Sequence, residues 1–349
     1  MIDLQKLVRT NIRELISYAE IKAEEDVRDS QHIMLDANEN PYNKPFNRYP
    51  SDDQIELKEE LAKLKGVTSK EIFLSNGSTE AIDMCYRIFC QPKVDNVVAI
   101  EPTCELYKRF ARLNDIEYRS VLLNEYFQLN ASELLRACNK QTKLIWLCSP
   151  NTPTGNILNV EEVEKVVKGF NGIVVIDEAY ADFSCSQTFR ERVSEFPNMI
   201  VLNTFSKAWA SAAIRLGVIY AQEAIINVFN KVSSPYSINQ LTQEQAIDVL
   251  RHRYDIEDWI KILLLERKRM ISAFASLTCC EKVYPSNANF FLAQMKDAES
   301  VYNYLCEKGV KVRNCSNLSL CNNCLRITIG SKAENAEILG ILRCYKPTK

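Results

Sequence analysis

Long apolar runs are missing from this sequence, and so is a surplus of either charge. None of its 349 residues belongs to a run approaching the ~20 consecutive apolar positions that span a bilayer as a helix. Lysine and arginine number 43 against 45 aspartate and glutamate, a formal net charge of −2. Nothing in that balance draws the chain to nucleic acid or to an anionic membrane. Residues 1–20 mix charges every few positions and show neither the apolar core nor the cleavage site of a secretory signal, so the expected location is cytoplasmic. Repeats and low-complexity tracts are absent too.

Cysteine is the one residue in excess, with 13 in the chain. A disulfide framework belongs to short secreted proteins, and this chain is long and without a secretion signal. Most of the thiols lie in apolar runs, as at Cys85, Cys90 and Cys148, where they act as small hydrophobes. Cys315, Cys321 and Cys324 cluster, the last two as C-x-x-C, but no second such pair or nearby histidine completes four zinc ligands. Free thiols are expected, and no metal.

Composition is that of a soluble globular enzyme, 46% apolar and 25% charged, and the length suggests two domains. Short apolar runs at 72–75, 96–100, 143–148, 172–177, 199–202 and 216–220 alternate with amphipathic stretches at 78–89, 102–113 and 160–168. Uninterrupted apolar runs of this length suit strands buried on both faces. The alternation predicts an α/β fold with a doubly wound, mainly parallel sheet. Beyond residue 255 the pattern changes: a long helix at 256–277, then strands at 289–293, 310–313 and 325–329 with helices between and after. That predicts a smaller α+β domain. The expected division is an arm at 1–32, a large domain at 33–250 and a small one at 251–349.

In an open parallel sheet, ligands bind beyond the carboxyl ends of the strands, and the polar oddities fall there. Asn76-Gly77-Ser78-Thr79 makes a glycine turn opening a helix, either a phosphate site or an ordinary serine cap. Ser149-Pro150-Asn151-Thr152-Pro153-Thr154-Gly155 is a rigid loop able to aim Asn151 or Thr152 into the crevice. Asp177, at the end of a buried run, caps the next helix or faces the ring nitrogen of a pyridine cofactor. Thr204, Ser206 and Arg215 offer hydroxyls and a cation for a phosphate. Beside them Lys207 presents an amine whose desolvation would keep it nucleophilic toward an aldehyde.

With these residues in view, Asp177-Glu178-Ala179-Tyr180, Ser206-Lys207 with Arg215-Leu216-Gly217, Pro153-Thr154-Gly155 and Leu325-Arg326-Ile327-Thr328-Ile329-Gly330 resemble the class II group of the fold-type I pyridoxal-phosphate aminotransferases, whose fold is aspartate-aminotransferase-like. More narrowly, Leu35-Asp36-Ala37-Asn38-Glu39-Asn40-Pro41, Asn47-Arg48-Tyr49-Pro50, Leu15-Ile16-Ser17-Tyr18 and Cys324-Leu325-Arg326 look like the histidinol-phosphate aminotransferases, from about Leu4 to the C-terminus. The resemblance implies pyridoxal 5'-phosphate as cofactor, histidinol phosphate and 2-oxoglutarate (or glutamate) as substrates, a role in histidine biosynthesis, and a homodimer. It implies that Lys207 binds the cofactor aldehyde and then moves the proton. Asp177 would face the pyridine nitrogen and Tyr180 the ring 3-oxygen. Gly77, Ser78, Thr79, Thr204, Ser206 and Arg215 would hold the phosphate, with Tyr49 from the other subunit. Arg326 would anchor the anionic end of the substrate, with Arg313, Tyr18, Asn38 and Asn289 lining its pocket.

Two positions depart from that pattern. Thr152 stands where the family has an asparagine at the ring 3-oxygen, with Asn151 one place earlier. Cys104 stands where it has the tyrosine that stacks on the ring, with Tyr107 three residues on. Three rival readings share these residues: a threonine-phosphate decarboxylase or aromatic aminotransferase of the same fold, a binding protein without turnover, and a thiol- or metal-based protein using Cys315, Cys321 and Cys324.

Overall fold

The structure, a computed structural model, describes residues 3–15, 33, 35–184 and 186–346; Tyr18 lies outside them. The strands are β1 Ile72–Asn76, β2 Asn96–Glu101, β3 Glu117–Leu122, β4 Thr142–Cys148, β5 Ile173–Asp177, β6 Met199–Thr204, β7 Leu216–Tyr220, β8 Cys280–Val283, β9 Phe290–Met295, β10 Arg313–Asn314 and β11 Cys324–Thr328. The helices are α1 Leu4–Leu7, α2 Thr10–Arg13, α3 Ile55–Lys65, α4 Ser78–Phe89, α5 Glu105–Leu113, α6 Ala131–Arg136, α7 Val160–Gly169, α8 Glu223–Val232, α9 Gln240–Arg251, α10 Arg253–Ala275, α11 Ala298–Glu307 and α12 Lys332–Arg343. None among the described residues is long and apolar enough to cross a membrane.

Seven strands form one sheet in the order β1-β7-β6-β5-β4-β2-β3. From β3 to β6 neighbours run parallel, and β7 runs antiparallel to both β6 and β1. The expected mainly parallel α/β sheet is therefore found, with one reversed strand. Reversal has a consequence for the site: Leu216 and Gly217, at the start of β7, lie beside the carboxyl ends of β1 and β6, opposite Asn76, Ser75 and Thr204.

Why the runs are uninterrupted is visible in the packing. Along β6, Met199 and Val201 join one core while Ile200 and Leu202 join the other; along β5, Val174 and Ile176 face the first and Ile173 and Val175 the second. A strand with alternate residues in two cores has no solvent face on which to place polar residues. A second sheet, ordered β10-β11-β9-β8, has its own core against α10, α11 and α12, including Met270, Phe274, Phe291, Val301 and Leu339.

Several elements differ from expectation. β3 and β8 have no counterpart among the predicted strands. β3 is a sheet edge whose residues are all exposed or half-buried, so it carries no apolar run, and Glu117 and Arg119 pair on it at 2.8 Å. The helix expected from residue 102 begins at Glu105, and the strand expected at 310–313 is the two-residue β10.

Candidate active site

The carboxyl ends of β1, β4, β5 and β6 meet the start of β7 and the face of β11 in one crevice. Gly77 links β1 to α4 with φ +77°, a conformation that glycine adopts without strain, and a Cβ there would lie 2.4 Å from Arg215 Nη2. The guanidinium thus covers the turn directly before the amides of Ser78 and Thr79 at the start of α4, where unpaired N–H groups favour an anion. Arg215 Nη1 also donates to Ser206 Oγ at 3.3 Å and to the Ala212 carbonyl at 3.0 Å, and Ser206 N donates to Thr204 Oγ1 at 3.1 Å. Gly77, Ser78, Thr79, Thr204, Ser206 and Arg215 therefore come together as one cradle.

Lys207 follows Ser206. The residue opens on the crevice, yet crowding around its ammonium, followed by the positive charge of Arg326, holds its pKa below the ordinary lysine range, with Asp177 acting the other way. Its Nζ lies 5.6 Å from the centroid of the Tyr180 ring. Tyr180 is buried and packs edge-on against Phe290 with centroids 5.0 Å apart. Asp177 ends β5, buried: its Oδ1 accepts the Ala179 N–H at 3.0 Å and its Oδ2 the Tyr107 hydroxyl at 2.7 Å. Burial pushes its pKa up, while those two donors and Lys207 pull it back.

Arg326 reaches across from β11. Its Nη1 donates to Thr152 Oγ1 at 2.8 Å, and its guanidinium lies 5.2 Å from the Phe290 ring centroid. Thr152 and not Asn151 is the residue of the loop joined to this cluster. Asn151 is wholly buried, and its amide is committed to the loop: Nδ2 donates to the Pro102 carbonyl at 2.9 Å and to Thr154 Oγ1 at 2.8 Å, and Oδ1 accepts from Thr103 Oγ1 at 2.9 Å. Of the two residues that the loop could aim into the crevice and that were expected at the cofactor, Asn151 is therefore the one held inside the loop.

Cys104 caps α5 close to Asp177 and Arg326, and burial pushes its thiol up to about 12. Tyr107 does not stand in for the missing ring at that position, because it turns into the core and stacks on Trp146, centroids 4.7 Å apart. The other substrate residues are more scattered. Arg313 lies directly opposite Arg326 in the β10–β11 ladder and pairs with Glu105. Asn289 precedes β9, its carbonyl accepting the Ile329 N–H at 2.8 Å. Asn38 is exposed at φ +56°, and no hydrogen bond among the described residues joins its side chain to the cluster. Tyr49 is exposed and stacks on Tyr236 at 4.5 Å. Cys315, Cys321 and Cys324 are buried thiols in the core, and among the described residues no group of three or more His, Cys, Asp or Glu is arranged to hold a metal.

Three contacts of the site are not evident in the sequence. Tyr107 holds Asp177, Glu105 holds Arg313, and Gly217 lets β7 approach the turn at Gly77. Tyr107 had a usable signal: it and Ala111, four residues apart, form the buried face of α5.

An amine, a buried carboxylate and an anion cradle at one edge of a reversed-strand α/β sheet define a pyridoxal-phosphate enzyme of fold type I. The sequence model of aminotransferase class I and II matches residues 21–342, and the chain belongs to that family. It is 51% identical to the histidinol-phosphate aminotransferase of Bacteroides thetaiotaomicron over 98% of this chain and 99% of that protein. In fold it is similar to the histidinol-phosphate aminotransferase of Sinorhizobium meliloti in complex with pyridoxal-5'-phosphate, with a TM-score of 0.78 at 20% identity over 85% of this chain and 82% of that one. The L-threonine-O-3-phosphate decarboxylase of Porphyromonas gingivalis shares the fold as well, with a TM-score of 0.71 at 24% identity over 85% of this chain and 90% of that one. Fold alone therefore does not separate the two chemistries.

Proposed function

We infer that the chain is a pyridoxal-phosphate-dependent aminotransferase that moves the amino group between L-histidinol phosphate and 2-oxoglutarate, giving imidazole-acetol phosphate and L-glutamate, in histidine biosynthesis. The observation that carries the reading is the bond from Arg326 to Thr152, which sets an anion-binding guanidinium in the same crevice as Lys207 and Asp177. The full-length identity to a histidinol-phosphate aminotransferase favours this substrate over that of the decarboxylase.

The residues present fit the cofactor. The Gly77 turn leaves no room for a side chain beneath Arg215, as a backbone that must approach a phosphate requires. Asp177 is a buried carboxylate with acceptor capacity beyond its two protein donors. Ser78, Thr79, Thr204, Ser206 and Arg215 would hold the phosphate, Asp177 the ring nitrogen, Tyr180 and Thr152 the ring 3-oxygen, and Lys207 the aldehyde. When bound, the cofactor supplies an electron sink for the bond broken at the substrate Cα.

Lys207, whose pKa is lowered chiefly by desolvation, would serve as the general base at the substrate Cα. Arg326 orients both substrates, because a planar guanidinium grips phosphate and carboxylate alike. Thr152 fixes the rotamer of that arginine. Arg313 lies beside it for the substrate that carries a dianion. Tyr49, exposed in its own chain, is proposed to reach the site of a second copy in a homodimer. The chain is proposed to work in the cytoplasm and to divide into an arm at 1–32, a large domain at 33–250 and a small one at 251–349. The second sheet, separate from the first and with a core of its own on one face, supports that division.

The test is an assay of purified protein with histidinol phosphate and 2-oxoglutarate, scoring glutamate formed against carbon dioxide released. Glutamate without carbon dioxide is the expected result. Carbon dioxide from threonine phosphate in its place would move the chain to the decarboxylases. Mixing inactive Tyr49→Ala and Lys207→Ala chains should restore activity in hybrid dimers, and no recovery after proven subunit exchange would remove Tyr49 from the neighbouring site.

A further inference from the structure

Tyr107 is wholly buried and held on three sides. Its ring stacks on Trp146 with planes 15° apart, Trp146 stacks in turn on Tyr86 at 5.4 Å, and the Tyr86 hydroxyl donates to the Tyr107 carbonyl at 2.7 Å. Burial, the stack and the bond to its carbonyl together set where the phenol oxygen lies. That point lies 2.7 Å from Asp177 Oδ2. Since a carboxylate only accepts, the phenol is the donor. It remains one, because burial and the neighbouring carboxylate both raise its own pKa far above the ordinary tyrosine value. The other oxygen of Asp177 takes the Ala179 N–H. A strand-end carboxylate pinned through both oxygens has a set plane and a set direction for its unused lone pairs.

We propose that Tyr107 is a positioning residue of the reaction: by donating to Asp177 Oδ2 it fixes the plane of the carboxylate and holds it as the anion that the cofactor's ring nitrogen requires. The inference rests on the cofactor reading above. It also gives α5 a part in the site beyond Cys104, at the very helix where the family's ring-stacking tyrosine is missing. The groups facing Asp177 are few. Lys207 supplies the charge, while Cys104, Cys148 and Tyr180 are pushed up by burial and stay neutral. Loss of the phenol hydroxyl would leave the carboxylate with one donor fewer in a dry site, and its ionisation would move to higher pH.

The test is Tyr107→Phe, which keeps the ring and its stack and removes one oxygen. Two readouts are needed. The affinity of the cofactor-free protein for pyridoxal phosphate, by fluorescence titration, should fall roughly ten- to a hundredfold, the effect of losing one hydrogen bond to a charged group. The acid limb of kcat against pH should move up. Trp146→Phe loosens the stack but keeps the phenol, so it should lower the melting temperature and move the acid limb less than Tyr107→Phe does. If the Phe variant fails to fold, 3-fluorotyrosine placed at position 107 keeps the shape with a more acidic, stronger donor, and the acid limb should then move down. A Phe variant with parental cofactor affinity and an unmoved limb, or a fluorinated protein with no shift, overturns the inference while the cofactor reading stands. Failure of the unsubstituted protein to take up pyridoxal phosphate overturns both.

Discussion

Gly217 offers the sharpest test of how the cradle is built. It lies in β7 opposite Thr204 on one side and Ser75 on the other. A methyl at this position would stand 2.3 Å from Ser78 N, 2.4 Å from Gly77 C and 2.7 Å from Ser75 Oγ. Ordinary contact begins near 3.4 Å, so Gly217→Ala must push the backbone at the start of α4 by about 1 Å, overpacking that typically costs about 1–3 kcal/mol of stability. The obstacle is main chain, which no rotamer change relieves. The amides displaced are those assigned to the cofactor phosphate. One charge-assisted bond lost there is worth about 1.5–3 kcal/mol, roughly ten- to a hundredfold in affinity. Titration of the cofactor-free variant with pyridoxal phosphate, beside thermal unfolding, reads both effects. Gly340→Ala is the control: it sits in α12 with nothing within 4 Å of the added methyl, and should gain about 0.5–1 kcal/mol from helix propensity with no change in cofactor affinity. If Gly217→Ala binds the cofactor as the parent does, the cradle is not made by α4.

Several parts of the site that were legible in the sequence share one property: they are polar residues at or just after the end of an uninterrupted apolar run. Asp177 at the end of β5, Lys207 after β6 and the turn at Gly77 after β1 all stand where a parallel sheet must open to solvent, so strand prediction and site prediction were the same inference. What escaped depends on partners distant in sequence. Glu105 and Arg313 pair across 208 positions and Tyr107 reaches Asp177 across 70, and no local pattern encodes either. The choice between Asn151 and Thr152 escaped for a related reason. Loop chemistry shows that one of two adjacent polar side chains faces the crevice, but only the fold shows that Pro102, Thr103 and Thr154 claim the asparagine. β3 escaped because an edge strand with no fully buried residue has no apolar run to betray it.

Thr152→Val keeps the shape and removes the acceptor that holds Arg326, and should lower kcat/KM by up to about a hundredfold (about 1–3 kcal/mol) while Thr152→Asn preserves it; parental activity in the valine variant would show that another group sets the arginine. Arg326→Lys keeps the charge without the fork and should cost on the order of 2–4 kcal/mol in kcat/KM for both half-reactions, whereas Arg313→Ala should weaken the histidinol-phosphate half more than the glutamate half. Equal losses in the two halves for Arg313→Ala would remove it from the phosphate pocket. A last prediction concerns Glu178, next to the site but outside the chemistry. Burial pushes its carboxyl from 4.5 to about 7, against the pull of the Thr188 hydroxyl, the Phe189 N–H and the Arg190 charge. Its folded pKa lies above its unfolded one, so between these values the native state binds the extra proton, and stability from this residue falls as pH rises through that window. The slope integrates to something on the order of 3 kcal/mol. Other carboxylates titrate near the lower end, so the measurement is the difference in unfolding free energy between the parent and Glu178→Gln, taken from pH 4.5 to 8. The parent should lose ground steadily relative to the glutamine variant, which cannot ionise. A difference that stays level across that range would mean that Glu178 is ionised in the folded protein throughout, held by its three partners against the desolvation.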